Sequence, residues 1–478
     1  MLVVSFSTDC EARRRVARAA FVSGLPAGLF LLWPALLNRY PLVFSDTGTY
    51  LSQMVERHLG WDRPVFYSLL VLPLHLTLTT WPVIVAQAGL TLYAMRLAMR
   101  LFAGDARWLT AILAVLSVAT PLPWVTAQLI PDFATALLTL LLPVLAVPSE
   151  RLAWREHWLV ALLVTGLITL HQSNVLLAPL LLLVLLPLRR RLGAVAPLGW
   201  RGLLLAGGPL VAATLGLTAV NAIGHDRFSP SPYGNVFALA RSLADGPAMD
   251  ALRRHCPQSG WRLCFLVREG QPRSADEFLW PADSALARAG GAKRVATEAD
   301  AILLTALREE PGAVVRGALR NTARQLGMVA TGDGLQPWPG TVTPVIHRDF
   351  PPAESRRYDD ALQTQGRLSV PRGLQALHAA ALVLGVAATL VWLAVALRRR
   401  HAVSALCVAV LVCLLGNAAI TGALSGPHDR YESRVVWLPV FVPFVAGLAL
   451  RRRMAISRVS PSPDRVPADV ATPSAWSV

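Results

Sequence analysis

The residues of this chain that can do chemistry sit in short polar runs between long apolar blocks. An early run reads SDTGTY and carries Asp46, and the next, WDRP, holds Asp62 and Arg63. QLIPDF then sets Asp132 just ahead of an apolar block, and HQSN supplies His171 and Asn174. Late in the chain, SGPHDRYESR gathers His428, Asp429, Arg430, Tyr431, Glu432 and Arg434. A carboxylate such as Asp46 or Asp132 can act as general base on a hydroxyl within hydrogen-bond reach. Arginines such as Arg63, Arg430 and Arg434 can hold a phosphate through paired N–H groups and stabilise charge on a leaving oxygen. Plainer readings exist for some runs: Asp132 can be a helix cap that complements the dipole, and HQSN an ordinary polar turn. The Asp46 loop and the HDRYESR turn resist that reading, because a solvated loop needs no such density of charge and aromatic surface.

The elements that must position these residues are apolar. Of 478 residues, 54% are hydrophobic and 15% charged, with a mean hydropathy of +0.48; a soluble domain carries about a quarter charged residues. The apolar residues form unbroken blocks without a polar stripe, so lipid or other helices must solvate them. Candidate spans cover 21–37, 64–80, 81–102, 108–126, 133–147, 157–170, 175–188, 203–222, 377–397, 402–424 and 435–450. The net charge of +16 is concentrated in arginine clusters at 13–15, 189–191, 398–400 and 451–453, at the ends of apolar blocks. That is the pattern of cytoplasmic flanks rather than of a nucleic-acid surface.

If every candidate crossed from a cytoplasmic N-terminus, the clusters at 189, 398 and 451 would all fall outside. Reading 64–80, with Pro73 and His75, as a juxtamembrane or re-entrant helix on the outer face removes the conflict. The expected fold is therefore an all-α polytopic membrane protein of about ten transmembrane helices with an inserted, mainly helical extracytoplasmic domain. Its parts are a cytoplasmic N-terminus (1–20), a membrane core (21–223) with a first external loop (38–81), and an insertion (224–375). C-terminal membrane helices (376–453) and a Ser- and Pro-rich, disordered cytoplasmic tail (454–478) follow. The first apolar block has no small-residue cleavage site after it and reads as a retained anchor. Segments 157–170 and 175–188 are short and can form a hairpin.

Inside the insertion, Cys256 and Cys264 lie eight positions apart on the oxidising side, which suggests a disulfide; two unrelated thiols are the alternative. Cys10, Cys407 and Cys413 are expected to be free. Helices are expected over 236–244, 248–254, 298–307 and 312–326, with a Gly- and Pro-rich loop over 328–352. Trp261, Trp280 and Trp338 can stack on sugar rings or serve as interfacial anchors or core.

SDTGTY, RPVFYS (Arg63 to Ser68), the PD of QLIPDF and the late RYESR turn together resemble the layout of the GT-C superfamily of membrane glycosyltransferases. The resemblance implies an inverting sugar transfer from a polyprenyl-phosphate donor to an acceptor at the outer face of a bacterial inner membrane. It implies Asp46 as catalytic base, with Asp132 in support. Arg430, Tyr431 and Arg434 would meet the donor phosphate, Arg63 more weakly, and His171 and His428 are further substrate-binding candidates. The first loop has no D-x-D, so no cofactor is assigned and a divalent metal ion stays open. The insertion matches no known acceptor-binding module. Two other readings stand beside this one: a transporter or flippase of a lipid-linked sugar, and a non-catalytic envelope-assembly protein.

Overall fold

The computed structural model describes residues 26–147, 152–194 and 199–459, with side chains to 452. The expected cytoplasmic N-terminus, Cys10 and the tail from 460 onward lie outside these residues. Helix makes up 73% of the fold, with no strand among the described residues. The helices are α1 (Pro26–Asn38), α2 (Ser45–Val55), α3 (Val65–His75), α4 (Trp81–Ala98), α5 (Leu109–Ala119), α6 (Leu122–Thr126), α7 (Phe133–Ala146), α8 (Trp154–Leu170), α9 (Gln172–Leu188) and α10 (Trp200–His225). Then come α11 (Gly234–Asp245), α12 (Pro247–His255), α13 (Leu266–Glu269), α14 (Ala275–Leu279), α15 (Ala285–Arg288), α16 (Ala292–Glu309) and α17 (Pro311–Gly327). The chain finishes with α18 (Thr343–Asp349), α19 (Pro352–Asp359), α20 (Arg372–Arg398), α21 (Val403–Leu424), α22 (Asp429–Ser433) and α23 (Leu438–Val459).

Five stretches among the described residues are long and apolar enough to cross a membrane: Trp81–Ala103, Trp200–His225, Arg372–Arg398, Val403–Leu424 and Asp429–Arg452. Shorter apolar helices, among them α1, α5, α7 and α9, pack with them. Every residue of α7 is buried, which places it at the centre of the bundle. At eleven residues α3 falls well below the roughly 20 that a crossing needs. It ends where Leu76 and Thr77 take left-handed backbone angles.

Several boundaries differ from those expected. The span foreseen over 108–126 is two helices, because Thr120 is extended ahead of Pro121 and a residue before proline avoids the helical region. The loop foreseen over 328–352 contains α18. The final helix runs to Val459, six residues into the stretch expected to be a disordered tail from 454.

The polar segment 224–375 divides between two cores. Residues from Tyr233 to Ile302, on α11, α12, α14 and α16, bury one another around Val236, Leu243, Phe278 and Val295. The helices expected there form as α11, α12 and α16, and Gly246, at φ +117°, makes the break between the first two. Cys256 and Cys264 are joined by a disulfide in this unit, while Cys407 and Cys413 are buried free thiols. Residues 335–368, in contrast, belong to the main core with the membrane helices. They belong there because they clasp the first loop. Gln363 donates from its backbone to Asn38 (2.7 Å) and exchanges side-chain hydrogen bonds with the backbone of Val43 (3.0 and 2.7 Å). Buried Glu354 accepts from the backbone and hydroxyl of Thr80 (2.9 and 3.2 Å), and Tyr40 packs edge-on against Tyr358.

Candidate functional site

The first loop is held from both sides before it presents Asp46. Leu42 exchanges backbone hydrogen bonds with Ala127 and Leu129 (3.0 and 2.8 Å), and Thr47 donates to the carbonyl of Leu129 (3.1 Å). On the other side, Gly48 of α2 lies directly against the carbonyl of Thr341, where a Cβ would sit 2.1 Å from the oxygen. Asp46 therefore stands in the first turn of a polar helix wedged between two distant segments, where the helix dipole favours its negative charge.

Two guanidiniums share that carboxylate. Arg63 donates to Oδ1 at 2.6 Å and Arg430 to Oδ2 at 3.1 Å. Arg63 reaches it from the loop before α3, its Nη1 donating to the carbonyl of Asp62 (2.9 Å) with the Asp62 carboxylate 3.7 Å away. Arg430 comes from α22, its backbone N–H held by Asp333 (3.1 Å) and its guanidinium lying 4.0 Å over the ring of Phe44. Burial pushes the Asp46 carboxyl up, but Arg63 and Arg430 outweigh it and hold the group down at about 2. At Asp62 burial wins over Arg63, and that carboxyl is raised.

Asp132 immediately precedes α7 yet makes no capping hydrogen bond. Its carboxylate instead accepts from Arg434 (2.9 Å), with His171 at 3.4 Å and Arg430 at 3.6 Å. Arg434 is wholly buried and also donates to Ser173 (3.0 Å) and to Asn417 of α21 (2.6 Å). Asn417 in turn donates to Glu432 (2.9 Å) and to the carbonyl of Tyr431. His171 caps α9, its Nδ1 accepting from the backbone of Ser173, while its Nε2 lies 2.9 Å from Arg434. Its ring nitrogens are thus engaged.

A cavity of about 340 Å³ opens onto this cluster. Asp46, Asp62, Arg63, His171, Arg430 and Tyr431 line its polar end. Val175 and Leu176 of α9 and Ile420 and Leu424 of α21 line the rest, with Phe237 of α11. The structure thus brings Asp46, Arg63, His171, Arg430 and Tyr431 to one void, with Asp132 one layer behind. Two candidates fall elsewhere. Arg434 is not in the wall; it stands behind His171 and Ser173, which are. His428 points to Asp276 of α14 (3.1 Å), away from the carboxylates. Of the tryptophans, Trp280 lies beside the site, 5.5 Å from the Arg63 guanidinium and 5.8 Å from Trp61. Trp338 packs on Phe44, and Trp261 near His255.

Sequence reading did not single out Phe44, Asn417 or Gln363. A lone amide inside the apolar run VCLLGNAAI was a signal for Asn417, because a polar side chain at membrane depth calls for a partner. Among the described residues no group of three or more His, Cys, Asp and Glu side chains is arranged to hold a metal ion. Comparison with protein-family models, with curated proteins and with solved structures finds no match to this chain.

Proposed function

We propose that the chain is an inverting glycosyltransferase of GT-C type, taking a sugar from a polyprenyl-phosphate donor at the outer face of a bacterial inner membrane. The observation that carries the reading is the amphiphilic cavity: a carboxylate and two guanidiniums at one end, and side chains of two apolar helices along the rest. A phosphorylated lipid has that division of polarity. Phe66 borders both a small space beside Arg63 and an apolar crevice of about 330 Å³ between α3, α4, α7 and α8, which would give a long tail apolar surface to follow.

In this reaction the acceptor oxygen bonds to the anomeric carbon as the carbon–oxygen bond to the phosphate breaks. The electron pair leaves with the lipid phosphate toward Arg63 and Arg430, and the acceptor proton goes to Asp46. Asp132 and Arg434 act one layer back, holding the guanidinium of Arg430 and the start of α9 in place. Asp46 and Asp132 are both committed to guanidiniums, a donor set that fits an anion better than a cation. The accompanying topology has ten crossings, with α3 lying on the outer face, the four arginine clusters and both termini inside, and the 233–302 unit in the periplasm.

Asp46→Asn should lower transfer from a polyprenyl-phosphate sugar by about 10²–10⁴-fold, the usual worth of a general base. Expression and donor binding should persist. A variant that transfers at the wild-type rate removes Asp46 from the chemistry. Flipping of a labelled lipid-linked sugar in proteoliposomes without transfer would favour a transporter instead.

A further inference from the structure

We propose that Asp46 is a resident placeholder in a phosphate site, and that an incoming phosphate displaces it from Arg63 and Arg430. This rests on the transferase reading of the cavity and adds an order of events to it. Two guanidiniums from residues 367 positions apart (430 less 63) converge on one carboxylate, each taking a different oxygen. Phosphate oxygens offer the same paired acceptors to the same donors.

Charge balance makes exchange, rather than simple addition, the physical route. Asp46, Asp62 (3.7 Å from Arg63) and Asp132 (3.6 Å from Arg430) already balance Arg63, Arg430 and Arg434 one for one. A further anion entering that half-enclosed space would leave an excess of negative charge unless one carboxylate gave way. Asp46 is the one Arg63 and Arg430 share, and it borders the void. Asp132 is pinned from behind by Arg434. The Nε–H of Arg63 is buried with no acceptor, an unmet donor that a phosphate oxygen can satisfy.

The exchange has a catalytic consequence. While it bridges two guanidiniums Asp46 is a poor proton acceptor; once the phosphate takes them, its basicity rises beside the bound donor. The base is armed only when a phosphate occupies the two arginines.

The test is binding, not turnover. Full-length protein in zwitterionic nanodiscs is titrated with inorganic phosphate and with a short isoprenyl monophosphate. Competition lowers the apparent affinity by the fraction of molecules in which the arginines are free, so Asp46→Asn should bind phosphate on the order of tenfold more tightly than wild type. Asp62→Asn removes a carboxylate of the same cavity that, at 3.7 Å, occupies no N–H of Arg63, and should change it by less than about threefold. Unchanged or weaker binding by Asp46→Asn, or equal tightening by Asp62→Asn, overturns the exchange. Asp46→Ala with a retained melting transition guards against misfolding of one variant. A clear preference for the isoprenyl compound identifies a lipid source, and equal affinities identify free phosphate. Tightening in Asp46→Asn together with wild-type turnover would sink the transferase role of Asp46 while leaving the exchange standing.

Discussion

Asp46 and Asp132 meet arginines from the same stretch of chain, four residues apart, yet they occupy opposite physical situations. Arg430 reaches a carboxylate that borders a void; Arg434, one helical turn on, is enclosed by Asp132, His171, Ser173 and Asn417. Ion pairs of the same chemistry therefore divide the work. The enclosed one has no room for a ligand and fixes α7, α9 and α21 relative to one another. The open one can exchange partners. Burial of a charge says little about function until one asks what empty space it faces.

Replacing Arg434 should break that comparison most visibly. Arg434→Met takes from buried Asp132 its hydrogen-bonded guanidinium, leaving Arg430 at 3.6 Å, and strips Ser173 and Asn417 of their donor, at a cost on the order of 3–5 kcal/mol. Thermal unfolding in detergent would read this as a large drop in melting temperature. Pairing it with Asp132→Leu should restore much of the loss, since an apolar pair of similar volume is often no worse than a buried ion pair. Arg430→Met should cost less than Arg434→Met, because Asp46 can turn to the void. Equal losses at the two positions would erase the distinction between an enclosed and an open pair.

The disulfide extends the comparison to the two cores. Cys256→Ser with Cys264→Ser opens an eight-residue loop and should cost roughly 2–3 kcal/mol of the 233–302 unit's stability. The main core should keep its melting transition and the site its activity. A single transition that shifts as a whole would show the units to be one cooperative body.

Much of this arrangement was legible in the chain. Unbroken apolar runs gave helices because nothing else buries them, and 312–326 and 248–254 fell inside α17 and α12. The gathering of Asp46, Arg63 and Arg430 followed from the demand that costly charges beside an apolar body find partners. What stayed hidden was set by packing between distant segments. Nothing in RYESR separates Arg430 from Arg434; the amide of Asn417 and the wall of α9 decide it. Nor does any local signal reveal that Gln363 clasps the backbone of Val43. The break after Thr120 was, by contrast, written in PLP and only outweighed by the apolar letters around it.

Gly48 offers a smaller perturbation of the open pair alone. In Gly48→Ala the added methyl group would overlap the Thr341 carbonyl, forcing α2 outward at roughly 1–3 kcal/mol. Because α2 carries Asp46, transfer should fall more than the melting temperature suggests. Full activity at normal stability would mean that the placement of Asp46 tolerates a shift of its helix.

The smallest effect belongs to His428, two residues from Arg430 but facing Asp276. Both partners are more than a third exposed, so the pair should contribute only about 0–1 kcal/mol. Burial pushes the Asp276 carboxyl up, but the hydrogen bonds from His428 and Trp280, with the charges of His428 and Arg241, together outweigh it and leave the group below its ordinary value. A carboxyl depressed on folding contributes stability that is present above its unfolded value, near about 3.9, and lost as the pH falls through the folded one. His428→Gln should therefore lower the melting temperature slightly at pH 6 and converge with wild type in strong acid. Transfer should be nearly unchanged, since His428 lines no wall of the cavity. If His428→Gln abolished transfer at normal stability, the functional surface would reach from the cavity onto α14, and the open pair would be only part of the site.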